Sequence, residues 1–279
     1  MISIDTQKCI LCGICIKVCH EHCMHINDKK LHIDSQYCST CTQCIAVCPH
    51  QALSWNGSPP EVFDKALYPQ SNQVAELFKQ RRTNRDFAQG KIDRSILEEI
   101  TGYAAYAPTH NFSFRAVIID DEAIIDWVDK ILYQYSMKIY RLLFKHGIFH
   151  FLIRKLLPFH EYEYLKALPK LKIIKKRKKG FKTKPAAIIL LVGDKRIPLS
   201  VESAQYAIYN IDLYAQSKGL AVRNLGGNVV VFNKNHEFRG KLGLEKTEKV
   251  FGILTIGYPA ITFSNKVTGK SIDIQWNSL

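Results

Sequence analysis

The chain has 279 residues, of which 47% are hydrophobic, and a formal charge of +14, enough apolar material for a large core and a small separate module. No stretch offers eighteen uninterrupted apolar residues, which excludes a spanning helix, and the run from Met1 straight into strand-like Ile2 to Ile4 predicts a cytoplasmic chain with reduced thiols. The positive excess is local: between Lys138 and Lys184 fifteen Lys and Arg face only Glu161 and Glu163, a net +13, which marks one basic element rather than a generally basic protein.

Eight of the nine cysteines fall in two runs, Cys9-x2-Cys12-x2-Cys15-x3-Cys19 and Cys38-x2-Cys41-x2-Cys44-x3-Cys48-Pro49. Three thiolates at this spacing on a tight loop can hold three corners of one cubane iron–sulfur cluster, while the fourth, expected at the start of a helix, reaches the other cluster. The expected sets are Cys9, Cys12, Cys15 and Cys48 for one 4Fe-4S cluster, and Cys19, Cys38, Cys41 and Cys44 for a second. Structural zinc and disulfides are the alternatives, but zinc usually takes two separated Cys pairs and disulfides suit an exported chain. Ser39, Thr40 and Gln43 are placed for polar contacts near sulfur, and Ile10, Ile14, Ile16, Val18, Ile45 and Val47 for apolar cover. His20 stands where a proline often follows such a run, and Cys23 is left over. An ordinary surface histidine and a buried thiol are the simplest readings; altered potential or ligation of one cluster is the sharper one.

Residues 1–56 read as this module, with a strand at Leu31 to Ile33, and residues 57–279 as a second domain. The turn residues Trp55-Asn56-Gly57-Ser58-Pro59-Pro60 mark the linker. Val74, Leu77 and Phe78 then recur at helical spacing, and Asp93 is expected to cap a second helix that turns Ile96, Leu97 and Ile100 inward. Between them lies Arg81-Arg82-Thr83-Asn84-Arg85-Asp86-Phe87. Its guanidinium groups can fork onto phosphate oxygens beside the Thr83 hydroxyl, although a double arginine is more often a solvated face. Ala107-Pro108-Thr109-His110-Asn111 precedes a strand at Phe114 to Asp120. Ile131, Tyr135, Ile139 and Leu142 recur at helical spacing with Lys138, Arg141 and Lys145 on another face. Gly147 is expected to break that helix, residues 149–157 to resume it and Pro158 to end it; the run Lys175 to Lys179 follows and stops at Gly180.

These landmarks resemble the FMN-dependent nitroreductase family, in its members fused to an N-terminal two-cluster ferredoxin domain. The resemblance rests on Arg-Arg-Thr-x-Arg-x-Phe at Arg81 to Phe87, Ala107-Pro108-Thr109 with Asn111, and a strand at Ala186 to Val192. It continues through a helix from Ala204 to Lys218 into Gly219-Leu220, the pair Gly226-Gly227, Lys241-Leu242-Gly243-Leu244, Ile256-Gly257-Tyr258-Pro259 and a closing strand to Trp276. It spans most of residues 71–276 outside the basic insert at about 131–184. The implied fold is α+β: a bacterial-ferredoxin-like module, then an FMN-binding nitroreductase-like domain carrying a basic helical insert.

By position, the resemblance implies that Arg81, Thr83 and Arg85 hold the FMN phosphate and ribityl chain with Arg82 nearby. Pro108, Thr109 and Asn111 would line the isoalloxazine, and the loop Asn224-Leu225-Gly226-Gly227 would bring backbone N–H groups to N5 and O4. The chain departs from the pattern at Phe112-Ser113-Phe114-Arg115, where relatives continue with glutamine and proline. Asn265 and Gly269 stand where relatives place arginines, which leaves Lys266 and Lys270 as point-charge phosphate partners. No protein residue is required as a catalyst, and Tyr106 and His110 read first as packing residues.

The implied activity is that of a homodimeric oxidoreductase. Electrons from a low-potential donor of the ferredoxin or flavodoxin type would pass through two 4Fe-4S clusters to FMN and on to a nitroaromatic, quinone or activated alkene. The alternative is a non-catalytic electron-transfer or flavin subunit of a membrane-associated redox complex. For the insert, a lid or dimer cover competes with peripheral contact to an anionic membrane and with docking of an acidic donor. Nucleic acid is disfavoured, because no helix-turn-helix or zinc-finger pattern accompanies the lysines.

Overall fold

The computed structural model describes residues 1–109, 113–144 and 161–276, together with positions 151, 152 and 155. His110, Asn111, Lys145, Gly147, Pro158 and most of the expected helix over 149–157 lie outside the described residues.

The N-terminal module is built from short elements. Strand β1 (Ile2–Ile4) pairs antiparallel with β4 (Leu53–Trp55), and β2 (Met24–Asn27) forms a hairpin with β3 (Lys30–Ile33). Asp28 and Lys29 both take positive φ at that hairpin turn, as the right-handed strand twist favours. Helices α1 (Ile14–Val18) and α2 (Gln43–Val47) follow the two cysteine loops. Met24, Leu31, Ile45 and Leu53 form the small core together with Cys23 and Cys44. The expected apolar cover is only partly there: Ile45 is buried, whereas Ile10 is 62% exposed and Ile14 is exposed too. Ile10 and Ile14 flank Cys12 on the first loop, which is exposed with them.

The larger part opens with α3 (Ser71–Gln80) and α4 (Arg94–Gly102). Leu97 and Ile100 are buried and Ile96 half-buried as expected, but Phe78 is exposed. Asp93 occupies the N-cap position of α4 without a side-chain capping bond; its backbone carbonyl accepts from the amides of Ile96 and Leu97 instead. Next come β5 (Phe114–Ile119), α5 (Glu122–Phe144), α6 (Glu161–Arg177), β6 (Ala187–Asp194), α7 (Ser200–Ser217), β7 (Ala221–Asn224), α8 (Val229–Lys234), α9 (His236–Lys241) and β8 (Glu248–Gly257). The four strands form an antiparallel sheet in the order β5-β6-β8-β7.

Strand β6 is an almost unbroken apolar run because both of its faces are covered. Its side chains alternate between two cores. Ile189 and Leu191 meet Leu97 and Ile100 of α4 and Ile208 and Ile211 of α7. Ile188, Leu190 and Val192 meet Ile125 and Val128 of α5 with Phe232 and Phe238 of α8 and α9.

The basic segment differs from expectation at its start. Helix α5 begins at Glu122, because Ile125 and Val128 extend the Ile131 stripe onto the sheet. Helix α6 packs on α5 through Met137, Leu171 and Ile174, which leaves its lysines outside. It ends at Arg177, and Lys178 follows in the left-handed region at φ 60°. Gly180 is required by close approach: a Cβ there would stand 2.6 Å from the Asp129 backbone oxygen and 2.7 Å from Leu132 Cβ. Since backbone cannot swing aside, Gly180→Ala is expected to cost about 1–3 kcal/mol in thermal or denaturant unfolding; an unchanged midpoint would show that α5 yields.

The expected closing strand to Trp276 is absent. Beyond Tyr258, apart from one bridge between Pro259 and Phe87, residues 260–276 form neither strand nor helix, and Phe263, Val267, Ile272, Ile274 and Trp276 are exposed. Alternating Ile272 and Ile274 carry the period of a strand, but no neighbour among the described residues takes up their backbone bonds.

Candidate functional site

Cys9, Cys12, Cys15 and Cys48 line one hollow in the N-terminal module. Cys19, Cys38, Cys41 and Cys44 line a second. Each hollow therefore takes three thiols from one run and the fourth from the other, the crossing expected from the spacing. One detail differs: Cys19 and Cys48 sit at the C-caps of α1 and α2, not at helix starts. The short helices begin between the second and third cysteines, so the three spacer residues use up the helix and deliver the fourth thiol at its far end.

The two loops share a backbone device. Leu11 and Gly13 in the first, and Thr40 and Thr42 in the second, all take φ between 57° and 75°. Left-handed Leu and Thr cost on the order of 1 kcal/mol each and persist only where the surroundings impose them. Here they curl each loop so that its three cysteines face one side. Among the described residues no three His, Cys, Asp or Glu side chains gather closely enough for a single ion; the thiols instead surround a volume. A soft, multi-atom cluster fits that donor set.

Burial in the apolar hollows pushes the Cys15 thiol up and the Cys44 thiol up to about 11, so without metal these two favour the thiol over the thiolate. The Ala52 amide donates to Cys48 Sγ at 3.3 Å, a bond of the kind that tunes a sulfur ligand. Ser39 and Gln43 line the second hollow as expected. His20 is an exposed surface residue. Cys23 is buried, lines the second hollow and lies 3.5 Å from Cys19 Sγ; burial, then Cys19 itself, push its thiol up to about 12. Four other cysteines already serve that hollow, so Cys23→Ala is expected to leave the iron content unchanged, and a lower iron count would make Cys23 a ligand.

The arginine segment leaves α3 at its C-cap. Arg81 reaches Asp212 of α7 at 3.4 Å, and Gln216 Nε2 donates to the other carboxylate oxygen at 2.5 Å. Burial holds the Asp212 carboxyl above its ordinary pKa, against the opposing pull of Gln216 and Arg81. Arg82 turns back instead: it donates to the carbonyls of Lys79 and Arg81 at 2.7 and 2.8 Å, closing the helix end. Its backbone amide donates to Gln216. Asn84 is buried and bonds the Val222 carbonyl through its amide at 3.0 Å and the Ile261 carbonyl through its side chain at 3.2 Å. Thr83 is half-buried and Arg85 exposed. Lys266 comes to this end of the molecule, 2.9 Å from Glu76 of α3, while Lys270 is exposed. Pro108 and Thr109 follow the buried Ala107; Asn111 lies outside the described residues.

Residues 8–52 match the family model described as a 4Fe-4S dicluster domain, and residues 78–258 match that of the nitroreductase family. The chain belongs to the nitroreductase family. A comparison with curated protein sequences finds no match. Among solved structures, a nitroreductase with bound FMN from Bacteroides fragilis aligns at 17% identity and TM-score 0.53, covering 74% of this chain and 100% of that one. A nitroreductase with bound FMN from Desulfitobacterium hafniense aligns at 15% identity and TM-score 0.54, with the same coverage. An iodotyrosine deiodinase bound to FMN and 3-iodo-L-tyrosine aligns at 19% identity and TM-score 0.52, again over 74% and 100% of the two chains. At these identities the likeness is one of fold.

The glycine loop of this nitroreductase-family chain differs in part from expectation. The Gly226 amide donates to Asn224 Oδ1 at 2.8 Å and is thereby occupied. A Cβ on Gly227, by contrast, would meet nothing within 4 Å. No protein neighbour demands glycine there, and the open space admits the close approach of a flat ring. Leu225 is buried beneath. Two contributors escaped the sequence: Asp212 and Gln216, polar partners one turn apart on α7. The one sequence signal was Asp212 standing between Ile211 and Leu213.

Proposed function

We propose that this nitroreductase-family protein is an iron–sulfur flavoprotein oxidoreductase, passing electrons from a low-potential donor by way of two 4Fe-4S clusters and FMN to a small organic acceptor. The observation that carries the reading is the pair of hollows, each lined by a crossed set of four cysteines, on the same chain as the flavoenzyme-like fold. When bound, the clusters carry single electrons and the flavin joins one-electron to two-electron chemistry. Cys9, Cys12, Cys15 and Cys48 hold one cluster; Cys19, Cys38, Cys41 and Cys44 hold the other. Arg81 is kept in place by Asp212 and, with Thr83, Arg85, Lys266 and Lys270, supplies positive charge and a hydroxyl for the FMN phosphate. Pro108, Thr109 and the Asn224–Gly227 loop border the ring, where Arg82 contributes only by closing α3. Nitroaromatics, quinones and activated alkenes all suit such a site.

A homodimer is supported by the apolar side chains that residues 260–276 leave in solvent, since a single chain gains nothing by exposing Phe263 and Trp276. Sedimentation of the full chain at the mass of one copy would reject it. The exposed lysines at 172, 175, 176, 178 and 179 favour docking of an acidic donor. Among the described residues no helix is long and apolar enough to cross a membrane.

The test is anaerobic purification with iron and flavin quantified, followed by mixing with a reduced acidic ferredoxin. Both chromophores should bleach, at a rate that falls as salt rises. Flavin that stays oxidised while the clusters are reduced would end the relay.

A further inference from the structure

Three guanidinium groups from distant parts of the chain come together at the β7 edge of the sheet. Arg223 stands on β7, its carbonyl accepting from the Thr255 hydroxyl at 3.4 Å. The amide of Asn84 donates to the carbonyl of Val222 at 3.0 Å, which sets the segment carrying Arg85 against β7. The Thr183 hydroxyl donates to the Arg85 carbonyl at 3.1 Å and accepts from the Phe87 amide at 2.7 Å, so the chain leaving the basic insert is tied to the same loop. Arg177, the last residue of α6, folds over that return, with Nε on the Lys179 carbonyl at 3.2 Å and a terminal nitrogen on the Gly180 carbonyl at 3.0 Å. Gly180 lies against α5, so Arg177 is not on a loose end.

The carboxylates in the neighbourhood are already engaged. Asp86 pairs with Lys182 at 2.5 Å, Glu122 and Asp126 share Lys184, Asp129 accepts the Phe181 amide, and Asp212 is held by Arg81 and Gln216. Among the described residues, no carboxylate pairs with Arg85, Arg177 or Arg223. Arg223 is half-buried, and burial, then Arg85 and Arg177, push its guanidinium below the usual arginine range. Like charges brought together, one of them partly desolvated, disfavour the folded chain unless an anion joins them. The planar forks of arginine match the oxygen edges of phosphate and carboxylate, whereas a patch made only for solubility has no reason to bury one of its members.

We infer that Arg85, Arg177 and Arg223 form a binding site for a multi-oxygen anion, a phosphate or carboxylate group, to which the basic insert contributes Arg177. Arg85 is shared with the flavin site proposed above; Arg177 and Arg223 extend it. The anion is either the phosphate of FMN itself, an assignment that rests on the proposed function, or the acidic group of a free small molecule.

The experiment uses the full-length protein stripped of flavin at high salt, and titrates inorganic phosphate, FMN and riboflavin at constant chloride. It compares wild type, Arg223→Met, Arg177→Met and a surface control, Lys175→Ala with Lys176→Ala. Both arginine variants are expected to weaken phosphate binding about tenfold or more, and the control to stay within about twofold. Without phosphate, Arg223→Met should melt no lower than wild type, because an uncompensated, partly desolvated charge has been removed; this separates anion binding from a folding role. If FMN weakens in step with phosphate and riboflavin does not, the site holds the flavin phosphate. If phosphate alone weakens, it holds a free anion. Phosphate binding by both arginine variants within about twofold of wild type overturns the site. Wild-type protein that takes up no flavin but keeps the phosphate contrast would sink the flavoprotein reading and leave the anion site standing.

Discussion

Cys48→Ala is expected to empty the hollow of Cys9, Cys12 and Cys15 while the other cluster survives, so that bound iron falls by about half. The geometry makes this sharp, because Cys48 lines the hollow of the first run and not that of its own. The mirror experiment, Cys19→Ala combined with Cys23→Ala to remove the neighbouring thiol, should empty the second hollow alone. Iron analysis with low-temperature EPR of the reduced protein distinguishes the two centres. Loss of the cluster held by Cys38, Cys41 and Cys44 in the Cys48 variant would mean that ligation follows the sequence runs instead of crossing them. The loss should also loosen the module, whose small apolar core leaves much of its folding free energy to metal.

Arg81→Ala has the second large effect, and it acts twice. On the proposed reading it removes a charge-assisted contact to the FMN phosphate and weakens FMN by roughly 10- to 100-fold, while riboflavin changes little. It also strands Asp212, which is buried on α7 with only Gln216 left to it. Because the Arg81 side chain is 30% exposed and its contact is 3.4 Å, the stability loss at neutral pH is set at about 2 kcal/mol, below that of a fully buried pair. Its pH dependence follows from the direction of the Asp212 shift. Burial already raises this carboxyl, and Arg81 is among the groups that lower it. A group whose folded pKa lies above its unfolded value contributes stability below the unfolded pKa and loses it as pH rises through the folded one. Removing Arg81 moves the folded value further up. The deficit relative to wild type should therefore shrink as pH falls toward the carboxylate range, and Asp212→Asn should restore part of the stability at neutral pH. A deficit independent of pH would show that Asp212 does not respond to Arg81.

How far the chain could be read from its residues alone depended on the range over which each feature is fixed. The crossed lining of the two hollows and the inward face of α4 were legible because thiol spacing and side-chain period act within a few residues; of the stripe expected on α5, Ile131 is buried but Leu142 is exposed. The family resemblance was carried by motifs of the same local kind. Short-range pattern failed where a strand or cap needs a partner: Ile272 and Ile274 alternate but find no neighbour, and Asp93 sits at a helix start without making the side-chain bond. It failed too for single polar residues whose meaning lies elsewhere in the chain. Arg81 and Asp212 are 131 positions apart, and Arg82, adjacent to Arg81 in the motif, turns the opposite way to close a helix. Arg85, Arg177 and Arg223 belong to three segments tied together by the Asn84 amide on the Val222 carbonyl and by the Thr183 hydroxyl between Arg85 and Phe87. Local spacing determines which groups can share a face, because helix and strand periods are properties of a few consecutive residues. Which charges meet is decided by chain return, because a buried carboxylate or guanidinium is stabilised by whatever the sheet edge and its covering helices bring within reach.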